Sequence, residues 1–177
     1  MIKVSVLASA SGCGKTTVGR ELAQLLNVRF VELDALVHGP NWTTTPDDAL
    51  REILEPILAS DAWVIDGSYS RTFGDLVLAA SDTIVWLDLP IRVWLPRLVA
   101  RSYRRWRTQE ELWNGNREEL RNLCWGRESL FVWAFRSHFR RRHEYPTRLA
   151  RYNVVRLRTP AEVERFLASV HTPVAGR

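Results

Sequence analysis

The sequence predicts an α/β protein, a three-layer sandwich in which helices cover both faces of a five-stranded parallel sheet. Five short apolar runs alternate along the 177 residues with segments of helical periodicity. A small-residue turn also joins the first run directly to the first helical segment. Strands separated by helices pair in parallel and are buried on both faces. The length is that of one ordinary domain, so we expect a single domain over residues 1–177.

Each predicted strand contains valine or isoleucine, whose branched side chains favour the extended conformation. The strands are residues 2–8 (IKVSVLA), 29–33 (RFVEL), 62–66 (AWVID), 83–88 (TIVWLD) and 152–157 (YNVVRL).

The helices are predicted from apolar spacing and end signals. Val18, Leu22 and Leu25 share one face of a helix over 15–26, which Asn27 is placed to end. Thr45 is expected to cap a second helix, with Pro46 at its first position and two acids in its first turn. Further helices are predicted over 91–101, 128–142 and 161–170, and Pro56 is expected to kink the second.

Positive charge is concentrated in one part of the chain. Residues 92–158 contain 17 arginines and six glutamates but no lysine or aspartate, a net charge of +11, whereas the whole chain carries +5. This region is expected to face anions such as phosphates or nucleic acid. A general preference for arginine is the alternative explanation, because the chain has 23 arginines and only two lysines.

Residues 103–145, called the insertion below, lie between the fourth and fifth predicted strands and are expected to form a helical lid. The insertion contains Trp106, Trp113, Trp125 and Trp133 among its arginines. Interleaved arginine and aromatic residues can stack bases along a phosphate backbone. They can also form the core of a small helical lid, which is the interpretation we favour.

The cellular location is predicted from what the sequence lacks. Two cysteines, Cys13 and Cys124, are too few for a disulfide framework. No apolar run approaches the roughly 20 residues of a membrane span, and no signal-peptide pattern is present. We therefore expect a cytoplasmic protein that is not associated with a membrane.

The segment SASGCGKTT (9–17) joins the first strand to the first helix and has the pattern of a phosphate-binding loop, or P-loop. Small residues allow successive backbone N–H groups to point at phosphate oxygens, and the helix start adds its positive dipole end. The pattern predicts ATP and Mg²⁺, with Lys15 on the outer phosphates and Thr16 on the metal. The usual first glycine is replaced by Ser9. The predicted nucleotide-binding residues are Ser11, Gly12, Cys13, Gly14, Lys15, Thr16 and Thr17, of which Cys13 is expected to be a small packing residue and not a nucleophile.

A second acid for the magnesium ion is expected at the end of a neighbouring strand. Asp66 ends the third strand and is followed by Gly67, which allows the chain to turn away. Asp88 ends the fourth strand and is the alternative. We prefer Asp66, because the residues after it bring Arg71 into the same turn.

Two segments carry a resemblance to adenylate kinases. DGSYSRT (66–72) is similar to their Asp-Gly-aromatic-Pro-Arg-Thr segment with one extra residue, and RLVAR (97–101) resembles their pair of lid arginines. With LDAL (33–36) and WVIDGSYSRT (63–72), the chain resembles the adenylate-kinase-related P-loop kinases often labelled DNA topology modulation proteins.

The resemblance implies a nucleoside-monophosphate-kinase-like fold with ATP as phosphoryl donor. It also implies that Asp66 reaches Mg²⁺ through water, that Arg71 grips an anionic group of the acceptor, and that Arg97 and Arg101 close on the transferring phosphoryl group. Positions four apart share one helix face, which independently allows the last two guanidinium groups to converge. The alternative interpretation is that Arg97 and Arg101 belong to a basic helix face that is exposed to solvent.

The segment VELDALVHGPNW (31–42) follows the second strand and is similar to the corresponding part of shikimate and gluconate kinases. By that similarity, Asp34 is expected to accept the proton of an attacking hydroxyl. A phosphate acceptor needs no base, so Asp34 favours a hydroxyl acceptor. It could instead cap a helix or hold a magnesium-bound water. Trp42 is a candidate to stack on an acceptor ring or a packing residue, and His38 is expected to be structural.

These observations predict an ATP:Mg-dependent phosphotransferase of the P-loop kinase class. Its acceptor is expected to be a small molecule, a nucleotide or nucleoside. One alternative is a P-loop kinase or ATPase that acts on nucleic acid through the basic insertion. Another is a nucleotide-sensing module without catalysis, which has no need of the arginines that neutralise a transition state.

Overall fold

A parallel β-sheet runs through the centre of the protein. The computed structural model describes residues 2–117 and 129–171, without the side chains of Ser70 and Arg71. The strands of that part are β1 (Ile2–Ala8), β2 (Arg29–Glu32), β3 (Ala62–Asp66), β4 (Thr83–Leu87) and β5 (Val154–Leu157). They form one five-stranded sheet in the order β2-β3-β1-β4-β5, with every pairing parallel. The predicted fold class is therefore confirmed.

Helices connect the strands. They are α1 (Lys15–Leu26), α2 (Leu33–Val37), α3 (Asp47–Ala59), α4 (Ser70–Phe73), α5 (Leu76–Ala79), α6 (Ile91–Thr108), α7 (Leu130–Arg148) and α8 (Pro160–His171), with 3₁₀ turns at Pro40–Trp42 and Trp113–Gly115. None of these helices has the length and apolar character that crossing a membrane requires.

Alternating side chains of the strands pack into apolar clusters on the two sides of the sheet. Val6, Val64 and Val85 pack on one side against apolar residues of α1, α6, α7 and α8. Trp63 and Ile65 pack on the other side against α2, α3 and the residues that follow β3. The period of two along each strand thus produces the three predicted layers.

The parallel register aligns the carboxyl ends of the central strands. Val6 of β1 lies opposite Asp66 of β3, and Ala8 lies opposite Leu87 of β4. Polar residues that follow these strands therefore meet at one edge of the sheet. Ligands of open parallel sheets bind at this edge.

Helix α1 has the predicted bounds and ends at Asn27, which has the left-handed conformation (φ 52°). The predicted cap of α3 is wrong. Thr45 donates its hydroxyl to the carbonyl of Leu36 at 2.8 Å, and Pro46 is the residue that precedes the helix. Helix α3 continues through Pro56 to Ala59.

The two helices of the basic region differ from their predicted bounds. Helix α6 extends beyond residue 101 to Thr108, because arginines favour the helical conformation, and Gln109 ends it with φ 48°. Helix α7 begins at Leu130 and continues to Arg148. Its start is fixed by Ser129, whose hydroxyl accepts a hydrogen bond from the N–H of Val132.

Candidate functional site

The predicted P-loop lies between β1 and α1 and has the required backbone. Gly12 and Gly14 have φ of 87° and 88°, a region that glycine enters at little cost. A Cβ at Gly12 would also lie 2.5 Å from the carbonyl oxygen of Trp94. Glycine is therefore needed here for both backbone conformation and space.

Ser9, which replaces the usual first glycine, anchors the loop to the sheet. Its side chain is buried; it donates a hydrogen bond to Oδ1 of Asp88 at 2.8 Å and accepts one from Nε1 of Trp86 at 3.0 Å. The same carboxylate pairs with Arg142 at 3.0 Å and Arg156 at 2.6 Å. Asp88 is thus engaged in a buried network behind the loop.

Asp66, in contrast, contacts the functional residues of the P-loop directly. Its carboxylate is 1 % exposed and forms an ion pair with Lys15, and the hydroxyl of Thr16 donates to its Oδ2 at 2.6 Å. The hydroxyl of Thr16 is also 3.4 Å from Oε1 of Glu32, whose other oxygen pairs with Arg20 at 3.0 Å. Hydroxyl and carboxylate oxygens are ligands that suit Mg²⁺.

Glu32 is a member of this group that the sequence analysis missed. It ends β2 directly opposite Asp66 of β3. Its position at the end of a strand was an available clue, but the order of the strands was needed to place it beside Asp66.

Arginines approach the loop from two helices. Arg101 of α6 donates a hydrogen bond from Nη2 to the hydroxyl of Ser11 at 3.0 Å, and Arg97 lines the same cavity. Arg141 of α7 donates to the carbonyl of Ala8 at 2.9 Å, a contact that the sequence did not indicate. Arg71 lies in α4, and its side chain is outside the described part of the structure.

Asp34 lies in α2 and accepts a hydrogen bond from the hydroxyl of Tyr69. Tyr69 has φ 41°, and this unusual conformation places it at the start of α4. Burial, followed by the negative charge of Asp34, raises the pKa of Tyr69. The phenol therefore keeps its proton and acts as a fixed hydrogen-bond donor to Asp34.

One cavity of about 1300 Å³ connects these groups. The P-loop, Arg97 and Arg101 line it together with Asp34. Pro160 and Val163, which follow β5, also line it. The cavity is also lined by Glu32, His38, Trp42, Tyr69, Glu110, Glu111 and Trp113.

The tryptophans of the insertion do not share one core. Trp113 stacks on His38, with ring centres 5.8 Å apart, whereas Trp106 contacts Tyr103. Trp133 is 44 % exposed and lies beneath the guanidinium of Arg141 at 5.3 Å. Trp125 and Cys124 fall outside the described residues. Each of the three described tryptophans thus has a different ring or cation partner, and the favoured interpretation of the insertion as the core of a helical lid stays a prediction.

Cys13 is buried within the loop, and burial raises the pKa of its thiol. A protonated thiol is a poor nucleophile, and this agrees with the packing role expected from the sequence.

Comparison with known proteins connects this geometry to small-molecule kinases. A family model described as shikimate kinase matches residues 11–55. The shikimate kinase of Corynebacterium glutamicum is 30% identical over 104 residues, which cover 51% of this chain and 61% of the enzyme. The chain thus spans less than two thirds of that relative. The family match includes residues 11–17 of the P-loop and Asp34.

Solved structures extend the likeness to the whole fold. A shikimate kinase from Bacteroides thetaiotaomicron has a TM-score of 0.58 at 16% identity, with 96% of each chain covered. A deoxyadenosine kinase from M. mycoides, with bound dCTP, has a TM-score of 0.56 at 10% identity, covering 96% of this chain and 98% of that one. The chain has the P-loop kinase fold of the nucleoside-monophosphate-kinase type, and the comparisons agree with the predicted enzyme class.

Proposed function

We propose that this protein is an ATP:Mg-dependent phosphotransferase that moves the γ-phosphoryl group to a hydroxyl of a small molecule. One observation carries the proposal: Lys15 and Thr16 of the P-loop line the same cavity as Asp34. A phosphate-binding loop and a carboxylate able to accept a proton therefore face a common space. The similarity of residues 11–55 to shikimate kinases supports the same arrangement, since those enzymes are named for a hydroxylated acceptor.

The residues around the P-loop suit a nucleotide with its metal ion. Gly12 and Gly14 provide the curled backbone, and Thr16 with Asp66 provides the oxygen ligands that Mg²⁺ prefers. Bound Mg²⁺ would neutralise the charge that develops on the phosphates. The ion pair of Lys15 with Asp66 holds the lysine at the loop, from which its ammonium group would turn to the outer phosphates.

The other charged residues would orient the reactants. Arg97 and Arg101 would stabilise negative charge on the transferring group from one helix face. Asp34 would take the proton of the attacking hydroxyl, and Tyr69 fixes the orientation of that carboxylate. Arg71 would contact the acceptor, as the likeness to adenylate kinases implies.

The alternatives have less support. The relative and both solved structures are small-molecule kinases by name, which favours a small acceptor over nucleic acid. The M. mycoides structure carries the name of a nucleoside kinase and thereby supports a nucleotide or nucleoside as the acceptor. The narrower resemblance to proteins labelled DNA topology modulation proteins stays a prediction.

The test is ADP release from Mg-ATP with a panel of acceptors. The panel contains nucleosides, nucleoside monophosphates, hydroxylated acids and sugars, and single-stranded and duplex DNA. We expect acceptor-dependent ADP formation that Lys15→Ala lowers at least about 100-fold. Lys3→Ala is the matched control, because Lys3 lies on β1 and bonds the carbonyl of Leu58 away from the cavity.

Three results would contradict the proposal. Acceptor-dependent turnover that survives Lys15→Ala in a folded protein would exclude the P-loop as the donor site. Binding of Mg-ATP without phosphate transfer to any hydroxyl compound would favour a nucleotide sensor, and transfer to DNA alone would favour the nucleic-acid alternative.

A further inference from the structure

Three aromatic side chains form a wall at the part of the cavity next to Asp34. His38 contacts Trp42 edge-on with ring centres 5.5 Å apart and stacks on Trp113 at 5.8 Å. All three line the cavity, and Trp42 is 40 % exposed. Rings that remain open to a cavity offer flat surfaces on which a planar ligand can stack.

Hydrogen bonds between two segments that are distant in the sequence hold this aromatic wall together. The side-chain oxygen of Asn116 accepts from the N–H of Trp42 at 2.8 Å, and its amide donates to the carbonyl of Gly39 at 2.9 Å. Asn114 donates to the carbonyl of His38 at 2.6 Å. Asn116 is buried, so these bonds fix Trp113 against the segment that follows α2.

Two carboxylates near the wall, Asp34 and Glu111, disfavour an anionic group placed beside them. The carboxylates that line the cavity include Glu32, Asp34, Glu110 and Glu111. Of the arginines that line the cavity, Arg20 pairs with Glu32, Arg104 and Arg105 pair with Glu110, and Arg101 bonds the hydroxyl of Ser11 in the P-loop. Within the described residues, Asp34 and Glu111 form no ion pair, so a carboxylate or phosphate placed beside these two side chains would meet repulsion, whereas the cationic Lys15, Arg97 and Arg101 line the cavity as well and suit the phosphates of ATP.

We propose that the acceptor is a nucleoside, whose planar base stacks on the aromatic wall while its sugar hydroxyl points to Asp34. The inference rests on the proposed phosphotransferase function and specifies its substrate class. His38 follows Asp34 by one helical turn, about 5.4 Å along the axis, and the N–H of His38 bonds the carbonyl of Asp34 at 3.0 Å. The distance between the hydroxymethyl oxygen and the base of a nucleoside is comparable to this rise.

The reaction that this placement permits is balanced without a further reactant. The hydroxyl oxygen forms a bond to the γ-phosphorus as the bond from that phosphorus to the β–γ bridging oxygen breaks. The hydroxyl proton passes to Asp34 and then to solvent. The products are the nucleoside monophosphate and ADP.

The experiment measures phosphate transfer from labelled ATP to matched acceptors. Each common ribonucleoside and deoxyribonucleoside is compared with its own 5′-monophosphate and with the hydroxy acids shikimate and gluconate. We expect label in at least one nucleoside and none in the corresponding monophosphate or the acids. With the best nucleoside, Trp113→Leu should raise KM about tenfold and leave kcat within about twofold.

Two further variants separate ring stacking from a general loss of structure. Trp113→Phe keeps a ring and should restore KM to within about threefold of the wild type. Trp106→Leu is the matched control, because Trp106 lies on α6 outside the lining of the cavity. If Trp106→Leu raises KM as much as Trp113→Leu does, the aromatic wall is not the determinant and the inference is overturned.

Failure of the inference differs from failure of the proposed function. Transfer to a monophosphate or a hydroxy acid but to no nucleoside overturns the inference, leaves the phosphotransferase intact and favours the predicted grip of Arg71 on an anionic group. Transfer to no hydroxyl compound overturns both.

Discussion

The hydroxyl of Ser9 donates a hydrogen bond to the carboxylate of Asp88 at 2.8 Å and thereby joins the P-loop to the end of β4. Both side chains are buried. Arg142 and Arg156 complete the contacts of the carboxylate, so the loop is connected to α7 and β5 as well. Ser9, which replaces the usual glycine, therefore anchors the start of the loop.

Restoring the glycine should weaken the protein. Ser9→Gly leaves Nε1 of Trp86 without its partner and removes one hydrogen bond from Asp88, and we expect a loss of about 2 kcal/mol in the free energy of unfolding. Urea denaturation measures this loss. Ser9→Ala should cost nearly as much, since it removes the same hydroxyl. A fully stable Ser9→Ala protein would show that the hydroxyl is not the anchor.

Asp34→Asn should lower kcat at least about 100-fold, because an amide cannot accept the proton of the attacking hydroxyl. The affinity for Mg-ATP should stay within about twofold, since the side chain of Asp34 bonds Tyr69 and forms no hydrogen bond or ion pair with the P-loop residues. Steady-state kinetics and calorimetric titration with ATP measure the two effects. Tyr69→Phe serves as the comparison and should lower kcat less, because its phenol only orients the carboxylate. Equal kcat values for Asp34→Asn and the wild type would exclude Asp34 as the base.

Arg101→Ala should lower kcat about 100-fold, because its guanidinium lies at the P-loop and would stabilise the charge on the transferring group. Arg92→Ala is the matched control, an exposed arginine of the same helix that does not line the cavity. Turnover assays at saturating Mg-ATP compare them. If the two variants lose activity equally, the loss reflects the total charge of α6 and not the position of Arg101.

The stability of the protein should fall in mild acid through His138. This residue is buried beside Arg142, and burial, followed by that positive charge, lowers the pKa of the imidazole from 6.5. The unfolded chain therefore takes up a proton at a higher pH than the folded protein does. Well above pH 6.5, the titration of His138 does not change the free energy of unfolding. As pH falls below that value, it lowers the free energy of unfolding.

Urea denaturation at about pH 7.5 and about pH 5.5 tests this dependence, which a single group limits to about 1.4 kcal/mol per pH unit. His138→Gln should show a smaller drop between the two conditions than the wild type. An unchanged drop would assign the acid sensitivity to other groups.

The fold and the P-loop could be predicted because their determinants are local. Val18, Leu22 and Leu25 recur at helical spacing, and α1 has the predicted bounds. The cap at Thr45 could not be predicted, since its hydroxyl bonds to Leu36 nine residues earlier. A helix cap competes with any other partner that the fold brings within reach.

The sequence by itself determined the parallel α/β sheet, the loop that precedes Lys15 and the acid that ends β3, because each depends on neighbouring residues. The tertiary structure decided which distant groups meet. Glu32 lies beside Asp66 only because β2 pairs with β3, and Asn116 bonds Trp42 across 74 positions of the chain. Such contacts depend on strand order and on how helices pack, which local periodicity does not encode.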